Sequence, residues 1–70
     1  MHFKLSPAQT KVYEFIQAFM KVHKFAPTYN EICEGLEFKS RASAFKHVKK
    51  LRAMGLVSIR EGSARGIRVR

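Results

Sequence analysis

Residues 38–51 read FKSRASAFKHVKKL, and the groups there that could do chemistry are cations: Lys39, Arg41, Lys46, Lys49 and Lys50, five bases with no acid among them. Arg60, Arg65, Arg68 and Arg70 follow near the C-terminus. Ammonium and guanidinium groups are hydrogen-bond donors that carry positive charge. They pair with oxyanions and, on a polyanion, displace its counterions. Their spacing is also informative. On a helix, Ala42, Lys46, Lys49 and Ala53 fall on one face, with Ser43 and Lys50 beside them. A face that is merely solvated usually mixes acids with bases, and this one holds no acid. The small residues between the bases would let the helix approach another surface closely.

The charge of the whole chain sharpens the point. Net charge is +9 over 70 residues. Residues 1–37 hold four bases and four acids, whereas residues 38–70 hold ten bases and the single acid Glu61. All of the excess therefore sits in the second half. Such asymmetry suggests a polyanionic partner, with nucleic acid foremost; the alternative is a charge that only aids solubility. Apolar residues at 46% and charged residues at 27% are ordinary for a globular protein. Seventy residues make one domain, 1–70, with a small core. Cys33 is the lone cysteine, so no intramolecular disulfide can form, which fits a reducing compartment. No apolar run has signal-peptide or membrane-spanning length, so the expected location is cytoplasmic and nucleoid-associated, with no membrane partner.

The basic residues need elements to hold them. SPAQ at 6–9 opens a helix: Ser6 is an N-cap, Pro7 suits the first helical position and Gln9 completes a capping box. Val12, Ile16, Phe19 and Met20 recur at helical spacing, flanked by Phe15 and Val22, which predicts a helix from Pro7 to about Lys24. PTYNE at 27–31 opens a second helix with Thr28 as N-cap and Glu31 closing its box. It is short, ending near Leu36, with Ile32 and Leu36 on one face and Cys33 beside them. A brief turn leads to a third helix over 40–54, capped by Ser40, with Ala44, Val48 and Leu51 as its buried stripe and Gly55 as its stop. After Gly55 the period becomes two. Val57 and Ile59 alternate with Ser58 and Arg60, and Ile67 and Val69 with Arg68 and Arg70, across the turn-prone EGSARG. These are two strands of a hairpin with one apolar and one basic face, and Arg65 at or near its tip. The fold expected is mainly α with a small β-hairpin: three helices and a C-terminal two-stranded wing, a winged helix-turn-helix.

In this arrangement the third helix can enter the major groove of B-form DNA, the second braces it, and the wing lies on the backbone or in the minor groove. The motifs carry a closer likeness. QTKVYEFI at 9–16, PTYNEI at 27–32, LEFKS at 36–40 and RGIRV at 65–69 resemble the N-terminal DNA-binding domain of the LexA repressor family, without gaps over almost the whole chain. The resemblance implies a DNA-binding transcription regulator, a repressor, with base-contacting positions at Ser40, Ala42, Ser43, Phe45 and Lys46. The rest of the expected interface is Thr28, Tyr29, Lys39, Arg41, Lys49 and Lys50, with Arg60, Ser63, Arg65 and Arg68 in the wing. Tyr29 is placed to bond a phosphate or to stand exposed, and Phe45 to pack at the core edge rather than read a base.

The chain also departs from the family pattern. The family has asparagine where Ala42 stands and acids where Phe45 and Lys46 stand. Ala and Phe cannot make the amide contact to adenine or the carboxylate contact to cytosine, so a different operator is expected. Glycines are favoured where Lys24 and Glu37 stand; here the turns are expected to be rebuilt, with Gly35 taking part of the load. The family's repressors carry a second domain that dimerises and cleaves itself, for which 70 residues leave no room. No enzyme is expected: no Ser–His–acid or Cys–His set is arranged, and Asp is absent. His2, His23 and His47 lack ligand spacing, so neither metal nor cofactor is expected. Double-stranded DNA is the expected partner, with a homodimer on DNA or a protein partner beside it. The alternative function is a winged-helix protein-interaction module, such as a phage or mobile-element regulator that binds a host transcription protein through Phe25, Tyr29 and Phe45.

Overall fold

A computed structural model describes residues 5–60, 62, 63 and 65–70 of the chain. His2, Lys4, Glu61 and Ala64, named or included in the readings above, lie outside the described residues. Helix α1 spans Pro7–His23, α2 Tyr29–Leu36 and α3 Arg41–Ala53; strands β1 (Val57–Ile59) and β2 (Ile67–Val69) follow.

Both expected capping boxes form. The Ser6 N–H donates to Gln9 Oε1 at 2.9 Å, and the Gln9 N–H donates to Ser6 Oγ at 3.1 Å. The Thr28 N–H donates to Glu31 Oε1 at 2.8 Å, and the Glu31 N–H to Thr28 Oγ1 at 3.2 Å. Each box satisfies backbone donors that the first turn would otherwise leave unpaired. At the start of α3 the expectation holds only in part. Ser40 takes the N-cap position, but its hydroxyl makes no capping bond. Its carbonyl instead accepts from Cys33 Sγ at 3.2 Å, which ties α2 to the turn.

Val12 and Ile16 of α1 are fully buried, as are Ala44, Val48 and Leu51 of α3, and Ile32, Val57 and Ile67 complete the packing around them. Helix α3 packs against both α1 and α2 and against β1. Val22, which flanks the apolar positions of α1, is 72% exposed. Six residues after Ile16 it lies about a third of a turn away from the packed stripe, so its apolar character finds no partner there. His47 is half-buried, 5.6 Å from the Phe38 ring, and its Nδ1 has no hydrogen-bond partner.

The helix ends also correct the sequence reading. The turns are not rebuilt: Lys24 (φ 66°) and Glu37 (φ 58°) both adopt the left-handed conformation that glycine favours, and Gly35 stays inside α2. The glycine serves packing instead, since a Cβ there would run into the Phe15 ring of α1. Glu37→Gly should raise stability by about 1 kcal/mol, and Glu37→Ala, which removes the same charge, should not. Urea midpoints of the two variants decide it: equal midpoints would mean that the positive φ carries no strain.

Helix α3 stops at Gly55 (φ 78°), and the Leu56 N–H donates to the Leu51 carbonyl at 3.0 Å, a helix-ending pattern that turns the chain toward β1. The strands pair antiparallel with Val57 opposite Val69, Ser58 opposite Arg68 and Ile59 opposite Ile67. The Arg60 N–H donates to the Gly66 carbonyl at 2.9 Å and closes the ladder at the turn end. No helix among the described residues is long and apolar enough to cross a membrane.

Candidate nucleic-acid interface

The stripe Ala44, Val48 and Leu51 turns one side of α3 inward, and this alone decides which side faces out. Arg41, Ala42, Phe45, Lys46, Lys49, Lys50, Arg52 and Ala53 are all exposed, and Ser43 is half-buried. Lys39 and Ser40, just ahead of the helix, are exposed too. Helix α3 contains no acid, so its outer side is cationic along its length. Its last turn carries Lys50 and Arg52, which also suit the negative end of the helix dipole.

Phe45 interrupts this surface. It is 49% exposed and does not belong to the core cluster. The expected packing at the core edge is therefore not what the structure shows. Phe45 meets the Tyr29 ring at 5.4 Å instead, because the first turn of α2 is what lies beside that edge of α3. Tyr29 is in turn half-buried against the core, neither fully exposed nor free. Burial pushes its hydroxyl above the usual phenol value, with the cation of Arg52 acting the other way. A cleft of about 270 Å³ is lined by Tyr29, Arg41, Ala42 and Phe45. A second, of about 450 Å³, is lined by Phe45, Lys46, Lys49, Lys50 and Ala53. Phe45 is thus a ridge between two shallow basins, each with an alanine in its lining.

The wing residues divide into two groups. Arg60, Ser63 and Arg68 are exposed. Arg65 is not left reaching outward. Its Nη1 donates to Glu31 Oε1 at 2.7 Å and to the Ala26 carbonyl at 2.9 Å, and its Nη2 donates to Glu31 Oε2 at 3.1 Å. Its guanidinium also lies 4.5 Å from the Phe25 ring centroid. The capping acid of α2 is therefore also the anchor of the wing. Thr28 is likewise engaged, since its hydroxyl accepts the Glu31 N–H. Sequence reasoning treated Glu31 as a cap residue and missed its partner, because 34 residues separate the two and no local pattern links them. It also passed over Arg52, which the acid-free charge pattern and its place two turns after Phe45 could have revealed.

Hydrogen bonds from Arg65, and then from the Thr28 N–H, lower the Glu31 carboxyl from its usual 4.5 to about 2. A carboxyl lowered by folding adds stability above its unfolded value, and that stability is lost as pH falls through the folded value. Glu31→Gln keeps the capping geometry, as Gln9 does in α1, and removes the charge. The wild type should melt above Glu31→Gln by a margin that is full above pH about 4.5 and vanishes toward pH 2. Melting curves of both proteins across that range test this, and a margin that does not change with pH would exclude the ion pair as its source. The pair is solvent-facing, so added salt should narrow the margin as well.

Among the described residues no three His, Cys, Asp or Glu side chains gather to hold a metal ion. The family model described as the LexA DNA binding domain matches residues 2–66. The LexA repressor of Pseudomonas aeruginosa (strain LESB58) is 39% identical over 66 residues, 94% of this chain and 32% of that protein. LexA repressor 1 of Pseudomonas putida is 38% identical over 66 residues, 94% of this chain and 33% of that protein. The LexA repressor of Syntrophobacter fumaroxidans is 40% identical over 53 residues, 76% of this chain and 26% of that protein. The chain spans about a third of the length of the curated relatives it matches.

Proposed function

The chain belongs to the LexA DNA-binding domain family, and on that premise we propose that it binds double-stranded DNA in a sequence-dependent way and represses transcription. The observation that carries this is the outer side of α3, cationic from Arg41 to Arg52 and free of acid. In the proposed complex α3 enters the major groove, which is wide enough for one helix, and α2 braces it from behind. Lys46, Lys49 and Lys50 neutralise phosphates or reach base edges. Arg60, Ser63 and Arg68 bring the wing to the backbone or the minor groove. Arg65, clasped by Glu31, positions the wing as well as adding its charge. With Ala42, Phe45 and Lys46 at base-facing positions, the preferred sequence differs from one read by an amide and two carboxylates.

Selection from a random duplex pool, followed by titration of the recovered DNA against salt, tests the proposal. Neutralising about five phosphates would give a slope of log affinity on log salt near −4.5. An enriched motif with such a slope is the expected result, and inverted half-sites within it would mean that two copies bind side by side. Absence of duplex binding at moderate salt would overturn the proposal.

A further inference from the structure

We propose that the Tyr29–Phe45 cleft is a specificity pocket for the C5 methyl group of thymine at the floor of the major groove. The inference rests on the proposed function and adds a ligand to it. Phe45 is a large apolar ring left 49% exposed in the middle of a basic surface. Its neighbours Arg41, Lys46 and Lys49 are all exposed cations. Such a ring gains nothing from water. It gains only if an apolar group covers it when the surface is occupied.

The cationic surround selects a polyanion, and a polyanion offers few apolar groups. The major-groove edge of duplex DNA offers one apolar group larger than a hydrogen, the thymine methyl; the hydrogen-bonding features beside it are donors and acceptors. Tyr29 and Phe45 meet at 5.4 Å with their planes 58° apart, so their faces form an open angle rather than a closed stack. Ala42, one turn before Phe45 in the same cleft, has a methyl side chain that leaves room for another methyl. Arg41 lines the same cleft and can hold the adjacent phosphate.

The test uses duplexes recovered from the random pool by the wild type and resynthesised with deoxyuridine at every thymine. This deletes the methyl groups and leaves every donor and acceptor in place. Wild type should bind the thymine duplex about fourfold more tightly for each methyl held in the cleft, the worth of one buried carbon. Phe45→Ala should lose that preference and keep the salt slope, and Phe45→Leu, a good helix former with an apolar side chain, should keep part of it. Equal wild-type binding of the two duplexes would overturn the inference while leaving DNA binding intact. So would a thymine preference that survives in Phe45→Ala. A pool with no enriched motif would be answered with bulk thymine and deoxyuridine pools, where equal affinity overturns it too. A stoichiometric protein partner lost in Phe45→Ala, with DNA affinity unchanged, would assign the ring to a protein contact and overturn it. Failure of all duplex binding would instead remove the proposed function itself.

Discussion

Replacing Lys46 and Lys49 together by Glu will lower affinity for duplex DNA by roughly 100-fold or more at moderate salt and flatten the salt dependence by about two units of slope. Both side chains are exposed on α3, and neither belongs to the buried stripe of Ala44, Val48 and Leu51. The double variant should therefore fold. In the proposed complex each replacement removes one phosphate contact and sets a carboxylate against the polyanion. Loss of a contact releases one fewer counterion, which is why the slope as well as the affinity must change. Circular dichroism checks the fold, and filter or anisotropy binding across a salt series gives the rest. A folded double variant that binds as the wild type does would show that α3 is not the surface in the groove. A loss of affinity with unchanged slope would show that these lysines act on base edges rather than on phosphates.

Gly66→Ala is expected to have the largest effect on stability, about 1–3 kcal/mol. A Cβ at this position would strike the backbone carbonyl oxygen of Arg60, which cannot swing aside as a flexible side chain could. The same two residues share the hydrogen bond from the Arg60 N–H to the Gly66 carbonyl that closes the wing. Total stability for a chain of this length is roughly 4–10 kcal/mol, so the substitution removes a large fraction. Denaturation midpoints measure the loss, and hydrogen exchange at the Arg60 N–H locates it. Faster exchange there, with the α3 amides still protected, would show the wing opening while the helices remain. An unchanged midpoint would mean that the strand backbones can move apart far enough to clear that carbonyl at no cost. Because Arg65 adjoins Gly66, its clasp on Glu31 should loosen in the same variant, and affinity for DNA should fall through the wing.

Helices, strands and the basic outer side of α3 were legible because they rest on local rules. Ser6 with Gln9 and Thr28 with Glu31 announced two helix starts, and both boxes form. The shift from helical to alternating period after Gly55 marked the hairpin, and the strands pair there. The stripe Ala44, Val48 and Leu51 followed from spacing, so the basic side of α3 followed as its complement.

What failed was local as well, but decided at a distance. Gly35 looked like a turn residue and is a contact residue, because the ring that a Cβ there would have to displace belongs to α1. Glu37 and Lys24 looked unsuited to left-handed turns, yet both adopt them where α1 and α2 end. Phe45 was placed beside the core by its angle on α3, yet the covering element there is the first turn of α2, which supplies only Tyr29. Arg65 read as one more cation of the wing and proves to be held by Glu31, the Ala26 carbonyl and Phe25.

From sequence alone came the identity and order of the elements, the inward and outward sides of each helix, and the sign of the surface. Periodicity, capping chemistry and charge are properties of neighbours along the chain, and neighbours are what a sequence displays. Only the tertiary structure decided that Arg65 is clasped, and which aromatic ring is left uncovered. Those outcomes depend on pairs of residues such as Glu31 and Arg65, 34 positions apart, that meet only once α1, α2 and the wing have packed.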